Sequence, residues 1–254
     1  MVNALRGLRA ALTFLTRVPV GGFPYSEAEW RWAAGWFPAV GLLIGCACAA
    51  VDLALLPAGP WPAAIASVIA GLLLTGAFHE DGLADTADAM GGAYTRERLL
   101  EILKDSRVGS FGAAALTMAL LLRVACLAAL GPAAPAAIVI VHACSRVPPL
   151  WLMRALPYVT RDDAARSRLV ARPGDPQVLL ATGTGGLVLL VAVTLGALSG
   201  AQALALVGVG VGTAIVCGWR FVARAGGITG DFLGATQQVV EGLGLLALLR
   251  VAAS

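Results

Sequence analysis

Hydrophobic positions run in long unbroken stretches along most of the chain, not in alternation or narrow amphipathic stripes. Seven stretches approach the length of a bilayer crossing: 33–56, 62–79, 110–130, 133–152, 178–198, 202–219 and 232–251. A helix needs about 20 apolar residues to cross a hydrocarbon core of roughly 30 Å. No period-two pattern of the kind a membrane barrel requires is present. The pattern therefore predicts an all-α, polytopic membrane bundle of about seven spans plus short interfacial helices, one domain over residues 1–254. The fourth stretch carries His142 and Arg146 and then Pro148 and Pro149, which predicts a kink or a partly re-entrant segment. Ahead of the spans, Leu5, Leu8, Leu12 and Leu15 recur at helical spacing opposite Arg6 and Arg9, as in a short helix lying on the membrane surface. Arg17 and Pro19 cut short the apolar run a signal peptide would need, and no small-residue cleavage site follows.

Composition narrows the class. The chain of 254 residues is 59% hydrophobic and 13% charged, against about 45–50% and about 25% in soluble domains. So few charges cannot cover a water-soluble globule, and such apolarity excludes a disordered chain. A formal net charge of +3 gives no reason to expect a nucleic-acid partner. Cys46, Cys48, Cys126, Cys144 and Cys217 lie in apolar runs and read as small hydrophobes. The connections 57–61, 131–132 and 199–201 contain no Lys or Arg, whereas every basic residue except Arg123 and Arg250 falls on the opposite side. By the positive-inside rule that side is cytoplasmic, with the N-terminus in and the C-terminus out. All acids except Asp52 and Glu241 share it, so any chemistry belongs to the cytoplasmic face. Asp52 is expected to reach water at the outer interface. Arg123 and Glu241 fall at similar depth inside spans, where an unpaired charge is costly, and are expected to pair.

The most informative stretch lies where the second span meets the cytoplasm. Asp81, Asp85 and Asp88 stand at i, i+4 and i+7, the latter two each within about 40° of Asp81 on one helix face. Three stacked carboxylates oppose helix formation, and a hard divalent cation such as Mg²⁺ relieves the repulsion. The plainer alternative is a helix end of solvated acids. Gly82 leaves room for backbone or substrate to come close. Thr95 reads as the N-cap of an amphipathic helix over 96–104. Lys104, Asp105 and Arg107 follow, and cations beside a carboxylate site suit phosphate. A glycine-rich turn, Gly226-Gly227-Ile228-Thr229-Gly230-Asp231, enters the last span; its amides suit an anion, and Asp231 could close a metal site from across the bundle.

In this order these patches resemble the cobalamin synthase family, the adenosylcobinamide-GDP ribazoletransferases. The resemblance begins with Phe14-Leu15-Thr16-Arg17-Val18-Pro19-Val20 and Phe37-Pro38-Ala39-Val40-Gly41. It continues through His79-x-Asp81-Gly82-Leu83-Ala84-Asp85-Thr86-x-Asp88 and Lys104-Asp105-Ser106-Arg107-x-Gly109. It closes with Gly230-Asp231-x-x-Gly234-Ala235-Thr236-Gln237. Glu80 lies outside the pattern, and 154–176 carries little of it. The resemblance implies a late step of vitamin B12 assembly at the bacterial inner membrane. A ribose hydroxyl of α-ribazole, or of its 5′-phosphate, attacks the corrin-proximal phosphorus of adenosylcobinamide-GDP and GMP leaves. It implies Mg²⁺ held by Asp81, Asp85, Asp88 and Asp231. Asp105 is the first candidate to take the hydroxyl proton, with Asp88 and His79 as rivals. Substrate contacts fall to Arg17, Gly82, Lys104, Arg107, Gly230 and Gln237. The chain is compatible with a homo-oligomer. A CDP-alcohol phosphotransferase is the nearest rival, but Asp85 and Thr86 stand where its motif has Ala and Arg. A cation-coupled transporter is the other, though the acids gather at one rim and not at mid-membrane.

Overall fold

The computed structural model describes residues 2–159, 170 and 172–252. Arg161, Asp162, Asp163, Arg166 and Arg168, counted above on the basic face, lie outside the described residues. Twelve helices of seven or more residues are described: α1 (Val2–Leu15), α2 (Glu27–Ala33), α3 (Phe37–Leu55), α4 (Pro60–Thr75), α5 (Phe78–Gly92), α6 (Arg96–Ile102), α7 (Ser110–Leu130), α8 (Ala134–Cys144), α9 (Pro148–Ala155), α10 (Asp175–Thr194), α11 (Gly200–Ala225) and α12 (Gly230–Ala252). Among the described residues the extended pairing is a single bridge between Tyr158 and Ile228.

Among the described residues, five helical segments are long and apolar enough to cross a membrane: Glu27–Ala58, Ser110–Ala155, Asp175–Thr194, Gly200–Ala225 and Gly230–Val251. A sixth arises if α4 and α5, bent by 90° at their junction, count as one broken span. The expected second span thus ends early. Gly76 and Ala77 both take left-handed backbone (φ +68° and +56°), which turns the chain out of α4 and sends α5 across the bundle. The kink foreseen in the fourth stretch is present as the break between α8 and α9, with two prolines opening α9.

Packing separates a central helix from peripheral ones. In α12, 72% of the apolar window is buried, against 17% in α11; α12 packs against α5, α11 and α7. Leu73, Leu121, Leu187 and Leu204 point outward, as a bilayer-facing surface requires. Helix α3 meets α8 through Gly41 and Gly45, where an added Cβ at Gly45 would lie 2.9 Å from Val139 Cα. At the rim, Ser26 and Thr95 accept hydrogen bonds from the Glu29 and Arg98 amides and so start α2 and α6. Thr95 therefore caps as expected, though α6 ends at Ile102. Asp52 departs from expectation: it is 1% exposed and its Oδ1 has no hydrogen-bond partner, because α3 turns that face into the bundle.

Candidate active site

A cavity of about 500 Å³ opens where α1, α3, α5, α9 and α12 converge. Phe14, Phe37 and Phe78 form part of its wall; Phe14 stacks on Phe37 at 5.7 Å and meets Phe78 edge-on at 5.4 Å. His79 and Asp81 reach it from the first turn of α5, Gly230, Asp231 and Gln237 from the start of α12, and Lys104 from the loop after α6. Thr229 holds the mouth of α12, its Oγ accepting from the Phe232 amide at 3.3 Å. Asp81 and Asp231, 150 positions apart in sequence, thus face one cavity from two helices.

The α5–α12 contact is set by Gly82. A Cβ there would lie 2.9 Å from Asp231 O and 3.1 Å from its Cα, so the approach that Gly82 permits is of backbone. Gly82 itself is not in the cavity wall, nor are Arg17, Asp85, Asp88, Asp105 and Arg107. The reasons are physical. Arg17 lies over Gly76, its amide donating to Leu74 O at 2.8 Å, where a cation complements the C-terminus of α4. Asp88 accepts from the Gly109 amide at 2.7 Å and the Gly112 amide at 2.9 Å, so both of its oxygens serve the start of α7. Asp105 is bound by Arg107, with Nε 2.9 Å from Oδ1 and NH2 2.6 Å from Oδ2. Those charge-assisted bonds hold its carboxyl down at about 2, which suits a loop staple better than a proton acceptor.

Asp85 is half-buried one turn beyond Asp81, within electrostatic reach of both Asp81 and Asp88. Among the described residues no three of His, Cys, Asp and Glu gather closely enough to hold a metal ion by themselves. Asp81 and Asp231 are the two carboxylates lining the cavity, a donor set of the kind on which Mg²⁺ commonly rests with phosphate and water completing its shell.

Beneath the cavity lies a buried polar network. Arg123 donates from NH1 to Glu80 Oε1 at 2.8 Å and from NH2 to Glu241 Oε1 at 2.7 Å, so the expected Arg123–Glu241 pair is present. Gln237 donates to Ser145 Oγ at 2.9 Å and to Glu241 Oε2 at 2.6 Å; Gln238 donates to Glu80 Oε1 at 3.1 Å. Glu80, given no role from sequence, is thus a second buried counter-ion of Arg123, and its place near a helix end gave no signal of it. Arg146, placed above on the basic face and in the kinked fourth stretch but given no part in the site, is 2% exposed and lines the cavity.

The sequence matches the family model described as cobalamin-5-phosphate synthase over residues 7–249. Curated relatives bearing the name adenosylcobinamide-GDP ribazoletransferase include one from Ralstonia nicotianae, 43% identical with 97% of this chain and 96% of the relative covered. Those from Albidiferax ferrireducens and Shewanella piezotolerans are each 40% identical, covering 95% and 96% of this chain and 96% and 95% of their own. No solved structure matches the chain. With nearly its whole length in register with these proteins and with the family model, the chain belongs to the cobalamin-5-phosphate synthase family.

Proposed function

We propose that this chain transfers the adenosylcobinamide-phosphate moiety of adenosylcobinamide-GDP to α-ribazole or its 5′-phosphate, releasing GMP in a late step of vitamin B12 synthesis. The observation that carries this reading is the meeting of Asp81, Asp231 and Lys104 with a phenylalanine wall in one cavity. Such a site suits a diphosphate attached to a large, partly apolar group. Asp81 and Asp231 would hold Mg²⁺, which when bound neutralises phosphate charge and orients in-line displacement. Lys104 draws a non-bridging phosphate oxygen toward the α5–α12 junction. His79 faces the cavity, whereas Asp88 and Asp105 are engaged elsewhere, so His79 is our choice to accept the proton as the hydroxyl oxygen bonds to phosphorus. The bond to the GMP oxygen breaks in the same displacement. The stacked phenylalanines keep bulk water from competing for the phosphorus.

We place the site on the cytoplasmic face of the bacterial inner membrane, within one catalytic domain and with the N-terminus inside. The distribution of basic residues supports that orientation. The test is GMP release from adenosylcobinamide-GDP and α-ribazole by the purified chain in detergent. Release is expected to stop with EDTA, return with Mg²⁺, and fall at least 1,000-fold in Asp81→Asn at unchanged expression, roughly the loss expected when metal-assisted phosphoryl transfer fails. Metal-independent release or an active Asp81→Asn chain would remove the metal assignment. Substrate flux across vesicles without GMP release would favour a transporter instead.

A further inference from the structure

Arg146 sits in the break between α8 and α9 with 2% of its surface exposed, yet it lines the main cavity. A guanidinium is always charged, and buried charges are ordinarily paired. Among the described residues no carboxylate lies within ion-pair distance of Arg146. Its NH1 donates to its own helix, to His142 O at 2.5 Å, and its buried Nε has no hydrogen-bond partner. The two carboxylates within electrostatic reach, Glu80 and Glu241, are both bonded to Arg123. The seat is also shaped for this side chain. A Cβ on Gly41 would stand 2.7 Å from Arg146 Cδ and would collide with the His142 carbonyl oxygen, so α3 leaves out a side chain where the arginine passes. Space, burial and a guanidinium with no directly bonded carboxylate therefore coincide in a cavity whose wall also carries Asp81, Lys104 and Asp231.

We infer that Arg146 is the deep anion anchor of the site: it binds non-bridging oxygens of the substrate diphosphate from below, opposite the exposed Lys104. This rests on the transferase reading only for the identity of the substrate; the anion site itself rests on the geometry. A guanidinium offers a planar fork that matches two phosphate oxygens, and its fixed position makes it a specificity element for diphosphate over a neutral or monoanionic ligand.

Arg146→Met in the full-length, detergent-solubilised chain tests this, since methionine fills the seat without charge. Two readouts are taken: the unfolding temperature without ligand, and the affinity for inorganic pyrophosphate in the presence of Mg²⁺. If the charge waits for a ligand, its removal leaves the unfolding temperature unchanged or higher and weakens pyrophosphate binding 30-fold or more. If Arg146 is a structural counter-ion for Glu241, the variant unfolds well below the parent or fails to fold, and the inference is overturned. A parent chain that does not bind pyrophosphate, or a folded variant that binds it as the parent does, overturns it equally. The transferase reading is judged separately: pyrophosphate binding that depends on Arg146 without GMP release from adenosylcobinamide-GDP keeps the anion site and removes that reading. GMP release with an Arg146→Met KM equal to the parent's does the reverse.

Discussion

Asp88, read as catalytic or metal-binding from sequence, also has a structural part in the fold. It is 8% exposed and accepts from two backbone amides at the start of α7, which otherwise carries four unsatisfied donors in its first turn. Removing a charged cap leaves those amides buried or half-buried without partners, a loss of about 1–2 kcal/mol. Asp88→Ala is therefore expected to lower the unfolding temperature by several degrees in buffer free of Mg²⁺ and substrate, whereas Asp81→Asn should leave it in place. Thermal unfolding in detergent with a chelator checks both. An Asp88→Ala chain as stable as the parent would mean that the two hydrogen bonds contribute nothing net. Asp105 makes the same point at the loop: with its carboxyl held near 2 by Arg107, it stays ionised throughout any practical assay range and can impose no titration on turnover there.

The element that decides the site is the crossing of α5 and α12, and it tolerates no side chain at residue 82. The atoms a Cβ would meet are Asp231 O at 2.9 Å and Asp231 Cα at 3.1 Å, which are backbone and cannot swing aside. Gly82→Ala should push the start of α12 and carry the Asp231 carboxylate off its position. Misplacing a positioning group by a fraction of an ångström to an ångström commonly costs about 100-fold in rate, so we expect kcat/KM for GMP release to fall by about that factor. Gly92→Ala, ten residues along the same helix, meets only Ile102 Cδ1 at 3.5 Å and is the control, with activity near the parent's. Much of this element was legible in sequence. The acids at i, i+4 and i+7 mark one face, and both Gly82 and the Thr229-Gly230-Asp231 turn announce a close approach. What periodicity cannot say is which neighbour each turn of a face meets: Asp81 looks into the cavity, while Asp88, two turns on, looks into the amides of α7. Arg123 and Glu241 were readable as a pair because an unpaired ion inside a span is too costly to keep. Glu80 and Arg146 were not, because each sits at a helix end where sequence alone assigns a charge to water.

At the scale of the whole molecule, the segment Ser110–Ala155 decides the topology. Its 46 residues would extend about 69 Å as one helix, more than twice a hydrocarbon core of roughly 30 Å. It is broken at Gly131, where the backbone takes φ +51° between α7 and a short turn over Gly131–Ala133. Helix α7 packs on α4, and α8 on α3, the two arms of one hairpin. Two crossings joined at Gly131–Ala133 satisfy both the length and these contacts, and with α4 counted as a crossing they restore seven spans. The orientation proposed above then predicts the connection at 131–132 outside and Tyr94, fully exposed between α5 and α6, inside. With the five native cysteines replaced by alanine, Ala133→Cys should react with a membrane-impermeant maleimide in intact spheroplasts, whereas Tyr94→Cys should react only after lysis. Labelling of both from one side would leave Ser110–Ala155 with a single crossing. Labelling of both from outside would also put Arg96 and Arg224, which meet at Ala93 and Gly226, on the outer face and overturn the orientation read from the basic residues.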